Sequence, residues 1–160
     1  MKIGLLLHEL HRDENDLAHA LLRVSERHKV DHEIHHVARD LARWSQGHVR
    51  TLADLGERFG TRLDPDPVDE TRTAERLRDK ADELVGRKPQ AALLLLRDLR
   101  EIYVKAAGLS VDWEMLAQAA QGLKDAELLA TVQSCHPDTL RQMRWANAKL
   151  KDSSTQILVS

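Results

Sequence analysis

Glu14, His48 and His136 are the residues of this chain best placed to do chemistry, because each interrupts a line of apolar side chains. Ile3, Leu7, Leu10, Glu14, Leu17, Leu21, Val24 and His28 recur at alternating spacings of four and three, the seam of a long amphipathic helix. Ile34, Val37, Leu41, Ser45, His48, Leu52, Leu55 and Phe59 repeat that pattern in the next stretch. An isolated buried carboxylate is very costly, so Glu14 must be paired, protonated or bound to a metal. One carboxylate with two imidazoles is a ligand set for a single transition metal ion such as iron, zinc or manganese. The same groups also suit a hydrogen-bonded polar pair that fixes helix register.

Other residues offer less. His28, His32, Glu33, His35 and His36 form a cluster in which His32 and His36 stand one helical turn apart, close enough in principle to share a metal. They lie beside a turn and away from the apolar seam, whereas metal sites in bundles are built in the core. Cys135 adjoins His136, but neighbours on a helix point about 100° apart and no orienting third group is evident. Trp44, Trp113 and Trp145 read as packing or interface anchors. Arg141, Arg144, Lys149 and Lys151 are interspersed with Asp138 and Asp152, which argues against a nucleic-acid surface.

The elements that must position these residues are helices. Aromatic content is 3%, and long stretches are rich in the strong helix formers Ala, Leu, Arg and Glu. Helices are expected over residues 2–28 and 31–59, with Asp31 as the cap of the second and Gly60 as its end. Asp64-Pro65-Asp66-Pro67 opens a crossover over residues 60–89, with a short helix near 68–85 carrying Ala74, Leu77, Ala81 and Leu84. A second hairpin follows over residues 90–152, and residues 153–160 form a tail. Its first seam is Leu95, Leu99, Ile102, Ala106, Leu109, Trp113, Leu116, Ala120 and Leu123, with a break expected around Gly108 to Ser110. Its last helix should start near Asp125 and turn Leu129, Val132, His136, Leu140, Met143, Asn147 and Leu150 inward, with a kink or a new segment at Pro137. The implied fold is all-α, one domain made of a hairpin, a long crossover and a second hairpin. At 1.5 Å per residue this topology puts Glu14, His48 and His136 at nearly one height, roughly the middle of helices about 40 Å long.

In topology and spacing the chain resembles the ferritin-like superfamily of di-iron carboxylate proteins, which includes rubrerythrins and bacterial ferritins. The resemblance implies an up-down-down-up four-helix bundle. That family places one Glu on each of two helices and Glu-x-x-His on each of the others. The matching positions here are Glu14, Ser45-Gln46-Gly47-His48, Asp112 and Gln133-Ser134-Cys135-His136. Ser45 and Gln133 replace the glutamates that would bridge and neutralise two irons, so the di-iron motif is incomplete. The role this implies is binding, scaffolding or oligomer formation rather than turnover. A metalloprotein using Glu14, His48 and His136 around one ion, with redox activity, is the alternative.

Bulk properties narrow the setting. A net charge of −2 gives no general attraction to nucleic acid or anionic membrane. The single cysteine excludes an intramolecular disulfide and suits a reducing compartment. The opening apolar run is short for a signal peptide, and Ala91 to Leu96 falls far below the roughly 20 residues of a spanning helix. A cytoplasmic protein is expected, with another copy of itself or a protein as partner.

Overall fold

The computed structural model describes residues 1–67 and 88–160. Those residues form four helices and no strand: α1 Ile3–Arg27, α2 His32–Arg58, α3 Lys88–Leu123 and α4 Ala126–Val159. The short helix expected near 68–85, with most of the crossover, lies outside the described residues.

The first hairpin follows the apolar periodicity closely. Leu7, Leu10, Glu14, Leu17, Leu21 and Val24 of α1 are buried, as are Ile34, Leu41, Ser45, His48, Leu52 and Leu55 of α2. Asp31 caps α2 by accepting a hydrogen bond from the Ile34 amide at 3.1 Å, satisfying one amide that the helix start leaves unpaired. At the other end Gly60 turns the chain with a φ of 69°, and the Thr61 amide returns to the Gly56 carbonyl at 2.8 Å. The segment after α2 then folds back onto the hairpin. A Cβ on Gly56 would lie 2.4 Å from the Thr61 carbonyl oxygen, and one on Gly4 would lie 2.2 Å from Thr61 Oγ1. Leu63 is buried, and His11 Nε2 reaches the Asp64 carbonyl at 2.7 Å, so residues 61–64 lie against α1.

In the second hairpin α3 is continuous from Lys88 to Leu123, with no break at Gly108 to Ser110. Leu99, Ile102, Ala106, Leu109, Trp113, Leu116 and Ala120 form its buried line. One glycine costs a helix only about 1 kcal/mol, and burial of the neighbouring leucines and Trp113 outweighs it. Lys124, at a φ of 55°, ends the turn, and Asp125 caps α4 by accepting from the Leu128 amide at 2.9 Å. Pro137 lies within α4, which continues to Val159 and takes in most of the expected tail. Pro137 denies the Gln133 carbonyl its helical partner, and both residues are on the exposed side of the helix.

The inward line of α4 differs from expectation by one residue. Leu128, Val132, Cys135, Thr139, Gln142 and Ala146 are buried, while His136, Leu140 and Met143 sit on the flank and Asn147 is exposed. Short or polar side chains thus face the other helices, and the bulkier Leu129, Met143 and Trp145 pack from the side. Cross-helix contacts fix relative directions. Glu14, Arg23 and Arg27 of α1 meet Trp113, Glu101 and Asp98 of α3, and Glu33 and His48 of α2 meet Lys149 and Asp138 of α4. Partner numbers run in opposite senses in both pairs, so each pair is antiparallel. No helix among the described residues is long and apolar enough to cross a membrane.

Candidate functional site

All four helices contribute to one polar layer in the middle of the apolar core. Glu14 is 0% exposed, and its Oε1 lies 2.9 Å from His48 Nδ1 and 3.1 Å from Trp113 Nε1. The other ring nitrogen of His48, Nε2, lies 3.1 Å from Asp138 Oδ2. The Trp113 indole meets the imidazole edge to face, with centroids 5.8 Å apart. The buried imidazole is therefore held between two carboxylates and walled by an indole.

This geometry sets the charge state. A neutral imidazole has one donor and one lone pair, and the lone pair would face a carboxylate oxygen. An imidazolium donates to both Glu14 and Asp138. Burial alone pulls the His48 pKa down, but the hydrogen bonds and charges of Glu14 and then Asp138 outweigh it, and the net shift is upward. Asp138 also accepts from Arg141 Nη1 at 3.1 Å and is partly exposed, linking the buried ring to the surface.

The rest of the layer is less fully satisfied. Gln142 Nε2 donates to Ser45 Oγ at 3.0 Å and to the Leu41 carbonyl at 2.9 Å, tying α4 to α2. Glu14 Oε2, Gln142 Oε1 and Thr139 Oγ1 are buried without a hydrogen-bond partner among the described residues. Burial pushes the Cys135 thiol up to about 12, reinforced by the charges of Glu14 and Asp138. Such a thiol is a protonated packing group, not a nucleophile.

The residues singled out by sequence are thus partly assembled. Glu14 and His48 meet in the core. His136 stands apart from them, half-buried, with Nε2 2.8 Å from Ser110 Oγ. Its inward orientation was expected from a seam that α4 rotates by one residue, and Asp138 takes the place beside His48. Gln133 is exposed and Ser45 engages Gln142. Asp112 lies on the flank near Asp13 and Glu9, and burial followed by those two charges raises its pKa. Among the described residues no group of three or more His, Cys, Asp and Glu is arranged to hold a metal ion.

The histidines near the α1–α2 turn do other work. His28 Nε2 lies 2.8 Å from Asp98 Oδ2, and Arg27 donates to Asp98 Oδ1 at 3.0 Å, joining this turn to α3. His35 Nδ1 lies 2.9 Å from the Ser25 carbonyl and closes the hairpin. His32 and His36 are exposed and stack at 6.5 Å.

Two polar contacts of the Glu14–His48 pair were not assigned from the sequence, those to Trp113 and Asp138. Trp113 had a usable signal: a buried indole N–H needs an acceptor, and Glu14 is the carboxylate in a facing seam. Asp138 had one only after α4 is placed in its true register, three residues beyond Cys135 on the same side. Comparison with known proteins found no matching family model, no matching curated protein and no matching solved structure.

Proposed function

We propose that the chain is a ferritin-like, up-down-down-up four-helix bundle whose polar centre is structural, and that its role is binding, scaffolding or oligomer formation. The observation that carries this reading is the double acceptance by Glu14 Oε1 of the His48 and Trp113 donors. These bonds occupy one of the two Glu14 oxygens and put a bulky indole at the height where a di-iron centre needs space. Two antiparallel helix pairs joined across the core support the topology. The described residues do not fit a di-iron centre: Ser45 carries no carboxylate, Gln133 is exposed, and both ring nitrogens of His48 face carboxylates.

A second reading, one iron, zinc or manganese ion at Glu14, His48 and His136, is favoured by the unpartnered Glu14 Oε2. It requires His136 to leave Ser110 and His48 to give up a carboxylate. Elemental analysis of protein purified without a histidine tag separates the two. The structural reading expects far less than one equivalent of any transition metal. One equivalent lost in Glu14→Gln would establish the second reading, and two irons per chain would overturn both.

A further inference from the structure

The outward face of α3 differs from the other exposed helix faces. Val104, Val111 and Met115 are 53%, 55% and 47% exposed, and with Gly108 they step by four, three and four residues along one stripe. By contrast, the exposed side of α2 carries charged residues such as Asp40 and Arg43. A helix that is apolar toward solvent as well as toward its core has a face still to be covered.

We propose that a second copy of the chain covers this face, the two α3 helices packing antiparallel about a two-fold axis that passes between Leu109 and Ser110. This deepens the oligomer-forming role proposed above and rests on it. The spacing of the stripe is palindromic about that axis. Val104 of each copy faces Met115 of the other, and Gly108 faces Val111. The steric fit follows, because a Cβ on Gly108 would meet nothing within 4 Å among the described residues. Beside it a notch of about 240 Å³ lies between α1 and α3, bordered by Asp16, Val104 and Leu109. Val111 of the second copy enters the dent at Gly108.

Charge complementarity selects another copy as the occupant. In an antiparallel pair related by this axis, the same flank of each helix meets its counterpart. On the flank nearest α1, Lys105 of one copy therefore faces Asp112 of the other, and the contact is made twice. Asp112 sits within reach of the like charges of Asp13 and Glu9, which Arg12 offsets in part, while Lys105 makes a loose contact with Glu101 at 3.8 Å. Each copy offers a second cation, beside Arg12, to the other copy's acidic strip.

Sedimentation velocity on the full chain over a range of concentrations tests the proposal. The wild type should be a dimer, and Val111→Glu, at an exposed position, should weaken it about tenfold or more while leaving the helical circular dichroism unchanged. Lys105→Glu and Asp112→Lys should each weaken the dimer, and the double exchange should restore it. A wild type that is monomeric throughout, or a dimer insensitive to Val111→Glu and to both charge reversals, would overturn the proposal. The metal analysis reads independently: monomeric, metal-free protein removes the dimer alone, whereas a dimer with a full equivalent of metal removes the structural reading of the core.

Discussion

Trp113 donates its indole N–H to the Glu14 oxygen that also faces His48, so a residue of the second hairpin completes a pair formed within the first. Burial of Glu14 is tolerable because two donors, one cationic, meet a single oxygen in a dry core. Removing the acceptor should be costly. Glu14→Ala strands both donors and is expected to destabilise the fold by about 3 kcal/mol, while Glu14→Gln retains an acceptor and should cost less. Urea denaturation of the two variants checks the order, and equal losses would show that the carboxylate is not the organising group.

The His48 pKa is raised in the folded state, which fixes the sign of its pH dependence. Its stabilisation is fully present below about pH 6.5, the unfolded value, and is lost as pH rises through the folded value. The stability gap between wild type and His48→Gln should therefore narrow with rising pH. Denaturation curves between about pH 6 and pH 9 measure it. A gap that widens over that interval would rule out an imidazolium between Glu14 and Asp138.

Much of this arrangement is legible in the sequence, and the limits are physical. The seams of α1 and α2 are mostly leucine, isoleucine and valine, interrupted mid-helix by Glu14 in one and by Ser45 and His48 in the other, so periodicity alone brings Glu14 and His48 together. Asp31 and Asp125 announce their helix starts by residue type and position. The register of α4 is hidden because its buried line is Cys135, Thr139, Gln142 and Ala146, which reads as a weaker apolar face than Leu129, Leu140 and Met143 beside it. Hydrogen bonding of Gln142 to Ser45 and the Leu41 carbonyl decides that register, and hydropathy does not encode it. The rotation carries His136 to Ser110 and brings Asp138 to His48.

Cys135 should be chemically quiet in the folded protein. With its pKa pushed up to about 12 by burial, the thiol stays protonated at pH 8. A chromogenic disulfide reagent should titrate one thiol promptly in denaturant and react slowly without it. Prompt reaction under native conditions would contradict the burial of Cys135 beside Glu14 and Asp138.

Asp98 joins the α1–α2 turn to α3 through Arg27 and His28, and only 5% of its side chain is exposed. Asp98→Asn keeps one acceptor for two donors and is expected to cost about 1–3 kcal/mol. Thermal denaturation should show the loss with little dependence on salt, since a buried pair is poorly screened. No change in melting temperature would mean that the contact is not energetically coupled to folding.

The division of the polar centre between two hairpins bears on the order of folding. The α1–α2 pair can bring Glu14 to His48 through local contacts, which form early because little chain entropy is lost in closing them. Trp113 and Asp138 arrive only when the second hairpin docks, and a sliding error of one helical turn in α3 or α4 would leave Glu14 or His48 buried without its remaining partner. Apolar seams of leucine and alanine discriminate poorly between such neighbouring registers. A misdocked bundle would therefore bury an unpaired carboxylate or imidazole and be unstable rather than merely less well packed.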